Sequence, residues 1–294
     1  MKKLLYSKKI APYIFILPFV ITVLLFWIMP ITNGVLLSFR DVLRNEWVGL
    51  KNYERLLSDK MFFRAVWNSA KYMGGTLLVL IPFPMLFASM LNSKRMKKPG
   101  FFKSVYFLPA LTSVVVAGTI FRLGFGEMGT SLANQVVGLF GIEPIKWLRN
   151  ETTSYFALLL LASWRWTGVN ILYFLAGLQS IPTEFYEAAS IDGATKWQQF
   201  RRISLPLLKP TTVYVLTISI YGGLSMFLES FMLWRGNNSP RDIGLTIVGY
   251  LYRQGIEKRA LGYACAVGLI LLLVVMIVNM IQLKATGTFK REEK

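Results

Sequence analysis

The chain has 294 residues, of which 54% are hydrophobic and only 16% are charged, and its mean hydropathy is +0.48. This composition excludes an ordinary soluble domain, because the apolar residues form runs long enough to cross the roughly 30 Å hydrocarbon layer of a membrane as helices. The net charge of +18 lies in the loops between these runs. Such loop Lys and Arg residues set membrane topology and contact anionic lipid, so no nucleic-acid partner is predicted.

Six apolar segments are predicted to be transmembrane helices, because backbone polar groups in lipid must be satisfied within their own segment. Their bounds are Pro12–Leu37, Asn68–Leu91, Val105–Phe121, Tyr155–Leu175, Thr211–Phe231 and Leu261–Leu283. The first is expected to be a retained span, because it is far longer than the about 7–15 apolar residues of a signal peptide. The predicted fold class is an all-α polytopic membrane protein, with a single transmembrane domain over 1–294 and its core at 65–285.

Basic residues predict the orientation of these spans. The short loop after the second span holds five basic residues and no acid, at Lys94, Arg95, Lys97, Lys98 and Lys103. Lys and Arg concentrate on the cytoplasmic side of a membrane. This loop, both termini and the long segment 176–210 are therefore predicted to be cytoplasmic, in a multi-pass protein of the cell (inner) membrane.

Several prolines lie within the predicted spans, at positions 18, 30, 82, 84 and 109. Each removes a backbone hydrogen bond and is expected to kink its helix. Such kinks could open a cavity between helices, although membrane helices also tolerate proline without that role.

The segment 176–210 is too long for a simple turn and is predicted to form a hairpin of two short helices. Pro182 suits a first helical turn, whose positive end favours the nearby glutamates. Asp192-Gly193 breaks the chain. Thr195, with Gln198 three residues later, has the capping-box pattern that starts the second helix. Such a hairpin between spans four and five could be merely a connector.

The hairpin carries a motif that points to a family. Glu187-Ala188-Ala189 is followed after three residues by Gly193, and after nine more by Ile203-Ser204-Leu205-Pro206. This spacing resembles the EAA motif of the membrane subunits of ABC importers, which have the type I importer permease fold. The resemblance implies that a coupling helix docks in a groove of a separate ATP-binding subunit and transmits its closure to the membrane. The residues it assigns to this coupling are Glu187, Ala188, Ala189, Asp192, Gly193, Ile203, Leu205 and Pro206.

Other segments are similar to the carbohydrate-uptake branch of that family. They are VGLKNY at 48–53, FFKSVYFLP at 101–109 and LAGLQSIP at 175–182. The first span and the charged C-terminal tail look like the maltose F-type or glycerol-3-phosphate A-type permease. The outer loop at Trp234–Asp242 departs from the pattern, because it lacks the glycine-rich run often found there.

The resemblance implies the membrane permease of a binding-protein-dependent carbohydrate importer, with no bond chemistry of its own. Its expected partners are a second homologous permease, two ATP-binding subunits and an extracytoplasmic sugar-binding protein. No cofactor is predicted on this chain, because it has no G-x-x-x-x-G-K-[ST] phosphate loop; ATP and Mg²⁺ would bind the partner ATPase. The open alternatives are transport of glycerol phosphate or an acidic sugar, an ion-coupled carrier, and a membrane enzyme. The absence of histidine and of any clustered nucleophile or metal motif argues against the enzyme.

Polar residues within the spans are candidates for a substrate path. Four on the fifth span recur every four residues and so share a face, namely Thr217, Tyr221, Ser225 and Glu229. On the fourth span, Asn170 belongs to a polar face with Ser163 and Thr167. Hydroxyl, amide and aromatic groups suit a wet sugar path, although small polar residues also hold membrane helices together.

Two charged residues within the spans need explanation, Arg165 on the fourth and Glu229 near the outer end of the fifth. Their depths differ by about nine residues, or roughly 13 Å at helical rise, so a direct pair is not expected. Arg165 could instead contact a substrate, helix-end carbonyls or the partner permease.

Overall fold

The computed structural model describes residues 8–93 and 96–288, so Lys94 and Arg95 of the predicted basic loop and the end of the charged C-terminal tail lie outside the described residues. The described chain is mostly helical, with one two-stranded hairpin, which confirms the predicted all-α class. It divides into two compact units. One comprises the chain up to Asp59 with Leu251–Leu272, and the other comprises Lys60–Tyr250 with the chain from Leu273 onward.

The first unit is built on a long apolar helix and a small hairpin. Its elements are α1 (Ala11–Val23), a π-helical turn (Leu24–Ile28), α2 (Met29–Ser38), β1 (Arg40–Asp41), β2 (Glu46–Trp47), α3 (Lys51–Ser58), a second π-helical turn (Arg253–Glu257) and the first part of α16 (Leu261–Ala285). The strands pair antiparallel, with Arg40 opposite Trp47. The first π-helical turn stands just before Pro30, whose ring lacks an N–H and crowds the preceding turn, so the helix widens there instead of ending.

The second unit contains the remaining helices. They are α4 (Lys60–Leu80), α5 (Pro82–Leu91), α6 (Pro99–Leu111), α7 (Val114–Gly124), α8 (Leu132–Gly138), α9 (Glu151–Gln179), α10 (Thr183–Ile191), α11 (Lys196–Gln199), a π-helical turn (Phe200–Ser204), α12 (Leu205–Leu207), α13 (Lys209–Leu224), α14 (Leu228–Leu233), a 3₁₀ turn (Pro240–Asp242), α15 (Ile247–Tyr252) and the end of α16.

Among the described residues, four continuous stretches of helix are long and apolar enough to cross a membrane: Ala11–Ser38, Lys60–Leu91, Glu151–Gln179 and Leu261–Ala285. Two further bent pairs raise the number to six if each pair is one span. The sequence predicted all six, but the third is not continuous, because α6 and α7 meet at 92°. Thr112 is extended there, and Ser113 restarts the helix by accepting a hydrogen bond from the Val115 N–H.

The fifth predicted span was too long at its end. α13 stops at Leu224, Phe227 leaves the helical conformation, and α14 starts at Leu228. Gly222 and Gly223 directly precede the break, and their low helix propensity means that ending the helix there costs little free energy.

The core of this unit forms around α9, which packs against α4, α5 and α6. Ile171 and Phe174 are fully buried in one apolar cluster with residues of α5 and the hairpin. At Gly168 the helices approach so closely that a Cβ would lie 1.9 Å from the Tyr106 backbone oxygen. Glycine therefore sets the distance between α6 and α9.

Candidate functional site

The predicted helical hairpin is formed by α10 and α11. α10 ends at Ile191, and Gly193 has a φ of +77°, a left-handed conformation that glycine adopts without a Cβ clash. Thr195 Oγ1 accepts a hydrogen bond from the Gln198 N–H, and Gln198 Oε1 accepts one from the Thr195 N–H at 2.7 Å. The predicted chain break and the predicted capping box are both confirmed.

A buried amide that the sequence analysis missed holds the two helices of the hairpin together. Gln199 is 3% exposed, and its Nε2 donates to Ser190 Oγ at 2.8 Å. Its Oε1 accepts from Lys196 Nζ at 2.9 Å. Tyr186 and Ser204 add a hydroxyl–hydroxyl bond of 2.9 Å. Gln199 had no local signal, because it lies on a helix of only four residues whose inner face depends on the fold of the hairpin.

The first half of the motif lies on the surface of the hairpin. Glu187, Ala188, Asp192 and Gly193 are exposed and Ala189 is half-buried. Large apolar side chains accompany them, since Phe185 and Trp197 are exposed and Ile191 is 87% exposed. Exposed large apolar side chains of this kind are typical of surfaces that contact another protein or a membrane.

The second half of the motif joins the hairpin to the membrane helices. Ile203, in the π-helical turn, is half-buried against the core cluster that contains Phe174, while Leu205 and Pro206 are exposed on α12. The chain then bends by 65° into α13. The hairpin is thus joined to the membrane helices both through the chain and through packing against α9.

A cavity of about 150 Å³ lies between α4, α9, α13 and the start of α14. Its polar and aromatic lining comprises Tyr72, Thr76, Trp166, Asn170, Tyr173, Ser219 and Glu229. Asn170 and Glu229 were predicted as path residues. The others were missed, although Ser219 and Gly222 share a face of α13 at three-residue spacing.

The other predicted path residues face elsewhere. Thr217 Oγ1 donates to Gln282 Oε1 on α16 at 3.1 Å. Tyr221 is 61% exposed, and Ser225 Oγ donates to the Tyr221 carbonyl. Thr217 and Tyr221 share a face of α13 and Ser225 lies just beyond its end, but the next face of the helix borders the cavity.

Arg165 and Glu229 form a direct ion pair, with Arg165 Nη1 and Glu229 Oε1 2.9 Å apart. The expectation that they were too far apart was wrong. It assumed one straight fifth helix, whereas the break before α14 changes the course of the chain and removes the assumed rise. Both side chains are nearly buried, at 11% and 13% exposure, so the two charges offset each other's burial.

Asn170 repairs a helix that proline interrupts. Pro84 has no N–H to donate to the Leu80 carbonyl four residues earlier. Asn170 Nδ2 donates to that carbonyl at 2.8 Å, in a buried position. The residue therefore both borders the cavity and joins α9 to the α4–α5 junction.

Apolar membrane helices, an exposed hairpin and a cavity with polar lining are the features expected of a membrane permease. This chain belongs to the family described as binding-protein-dependent transport system inner membrane component, which it matches over residues 76–284. It is the multi-pass permease subunit of a sugar importer of the ABC class, which confirms the family that the EAA spacing indicated. Its relatives are named as transport permeases, and the chain is a transport subunit instead of an enzyme.

Named relatives cover nearly the whole chain. It is 54% identical to the arabinooligosaccharides transport system permease protein AraP of Bacillus subtilis (strain 168), over 99% of this chain and 93% of the relative. It is 47% identical to the protein of the same name from Halalkalibacterium halodurans, over 98% and 91%. The lactose transport system permease protein LacF of Rhizobium radiobacter is 29% identical over 93% of each chain.

The fold also matches a solved structure. One chain of a bacterial ABC transporter involved in the import of the acidic polysaccharide alginate superposes with a TM-score of 0.84, over 96% of each chain. At 24% identity this similarity concerns the fold.

Proposed function

We propose that this chain is one of two homologous permeases of an ATP-driven importer for arabino-oligosaccharides, and that its cavity is part of the sugar path. The observation that supports this substrate assignment is the 54% identity, over nearly the full length, to a permease named for these sugars. The lining of hydroxyl, amide and aromatic side chains fits such a cargo, because sugars present both hydroxyl groups and apolar faces.

The remaining partners are two ATP-binding subunits and an extracytoplasmic sugar-binding protein. ATP and Mg²⁺ bind the ATP-binding subunits, since this sequence has no phosphate loop. The hairpin and both termini face the cytoplasm, which is the side that the loop around Lys97, Lys98 and Lys103 favours.

The hairpin couples ATP-driven closure to the membrane helices. Its exposed face supplies Glu187 and the small residues Ala188 and Ala189 to a groove of the ATP-binding subunit. Gln199 and the capping box keep the hairpin stiff, so displacement at its surface reaches the core through Ile203 instead of being lost in a flexible loop.

Uptake by the reconstituted importer tests the substrate. The complex of permeases, ATP-binding subunits and binding protein in proteoliposomes is expected to accumulate arabinotriose only when ATP is present on the ATPase side. Accumulation without ATP hydrolysis, driven by an ion gradient, would identify a secondary carrier instead. Failure to take up arabinotriose while another sugar is transported would refute the proposal that arabino-oligosaccharides are the substrate.

Substitutions in the hairpin test the coupling. Glu187→Lys reverses an exposed charge, and Gly193→Asp puts a side chain where φ is +77°. Both are expected to abolish uptake and sugar-stimulated ATP hydrolysis, while the permease still inserts and co-purifies as a folded protein. Glu184→Lys makes the same charge change one turn earlier on α10, outside the motif, and is expected to retain most uptake. Unchanged uptake by the Glu187→Lys variant would refute the proposed coupling role of the hairpin.

A further inference from the structure

We propose that Glu229 selects the sugar in this cavity, because its carboxylate binds the hydroxyl groups of neutral sugars and repels anionic ones. This inference rests on the proposed function, in which sugar passes through the cavity. It addresses which sugars pass, a choice that the sequence left open between neutral sugars, acidic sugars and glycerol phosphate.

The Glu229 carboxylate has a free acceptor at the cavity. Oε1 accepts a hydrogen bond from Arg165, and no other described residue donates a hydrogen bond to this carboxylate. Oε2 therefore retains its capacity to accept hydrogen bonds, and a carboxylate accepts them from neighbouring hydroxyl groups more strongly than a neutral amide does. The side chain borders the cavity and is 13% exposed, so a ligand in the cavity can reach it.

Arg165 is a positioning residue in this arrangement. It is buried and does not border the cavity. Its Nη1 lies 2.9 Å from Glu229 Oε1, and its Cζ lies 5.3 Å from the ring centre of Trp166, which does border the cavity. The guanidinium thus contacts the carboxylate without being part of the cavity lining.

The rest of the lining is uncharged. Of the described residues around the cavity, Glu229 alone carries a charge, and its neighbours include the aromatic rings of Tyr72, Trp166 and Tyr173. An anionic sugar entering this space meets a carboxylate of its own sign before any cation, in surroundings of low dielectric constant. A neutral sugar meets a strong acceptor and apolar ring faces.

Direct binding measurements separate this role from delivery by the binding protein. The purified complex of permeases and ATP-binding subunits, in nanodiscs without binding protein, is titrated with arabinotriose and with trigalacturonate. The wild-type complex is expected to bind arabinotriose at least tenfold more tightly. Glu229→Gln removes the negative charge beside Arg165. We therefore expect this variant to bind arabinotriose at least tenfold more weakly, and trigalacturonate at least tenfold more tightly, than the wild-type complex does.

A matched control is Glu127→Gln, which neutralises the carboxylate of the exposed Glu127–Arg149 pair, 2.6 Å apart, outside the cavity. It is expected to leave both affinities unchanged. If Glu229→Gln does not assemble, the double variant Arg165→Met with Glu229→Gln removes both charges, and it is expected to lose the tenfold preference.

The outcomes distinguish the selection from the proposed function. A folded Glu229→Gln or double variant that keeps the wild-type preference overturns the selection by Glu229, as does a wild-type complex that binds neither probe. Loss of the proposed function appears instead as a wild-type importer that fails to accumulate arabinotriose in proteoliposomes with its binding protein.

Discussion

The hydrogen bond from Asn170 to the Leu80 carbonyl allows a stability prediction with an internal control. The carbonyl is buried and lacks a helical donor because residue 84 is proline, so Asn170 is its donor. In Asn170→Leu the acceptor is left without a partner. We expect this substitution to lower the free energy of unfolding of the permease by about 2 kcal/mol, within the roughly 1–3 kcal/mol range for an unsatisfied buried group.

This magnitude is larger than the average of about 0.6 kcal/mol for side-chain hydrogen bonds between membrane helices. The larger value is expected because most such groups find another hydrogen-bond partner, whereas the Leu80 carbonyl would have none, since Pro84 has no N–H to donate to it. Replacing that proline supplies the missing donor. In a Pro84→Ala background the new N–H can bond to the Leu80 carbonyl, so Asn170→Leu should then cost less than about 0.5 kcal/mol.

Unfolding of the wild type, the two single variants and the double variant in mixed detergent micelles measures this coupling. Tryptophan fluorescence is a suitable signal, because Trp164 and Trp166 lie on the same helix as Asn170. The packing cost of Pro84→Ala itself cancels in the cycle. Equal costs of Asn170→Leu in both backgrounds would refute the proposed repair and leave Asn170 as an ordinary contact between helices.

Two further substitutions test other contacts. Gly168→Ala is expected to lower the free energy of unfolding by roughly 1–3 kcal/mol, because its Cβ would overlap a backbone atom of α6. Gly74→Ala places its Cβ in open space and should be neutral or slightly stabilising in the same assay. Equal effects of the two substitutions would contradict the close approach of the helices at Gly168. Gln199→Leu removes the hydrogen bond to Ser190 and is expected to speed amide hydrogen exchange in α10 and α11 and to raise the number of ATP molecules hydrolysed per sugar transported. Exchange rates equal to those of the wild type would show that Gln199 does not stiffen the hairpin.

Much of the fold follows from local patterns in the sequence. The first, fourth and sixth spans were predicted close to their observed bounds, because an apolar run of about 20 residues has few alternatives to a helix in lipid. The second was predicted to begin at Asn68, but its helix begins at Lys60. The hairpin was predicted for a similar reason. Its start and turn depend on Thr195, Gln198 and Gly193, whose effects act over three or four residues.

The errors concern breaks whose consequences are not local. Hydropathy continues through residues 112–113 and past Leu224, because the broken spans remain apolar where the helix ends. A straight fifth helix therefore separated Arg165 from Glu229, whereas the break before α14 lets them meet at 2.9 Å.

The class of protein, the approximate spans and the motif-bearing hairpin were predictable, since each depends on composition or on short-range spacing. The folded structure was needed to show that Arg165 pairs with Glu229, that Asn170 donates to the Leu80 carbonyl, and which face of α13 borders the cavity. Each of these depends on the rotation and crossing of helices that are distant in sequence. Close packing at positions such as Gly168 fixes those angles, and no local periodicity encodes them.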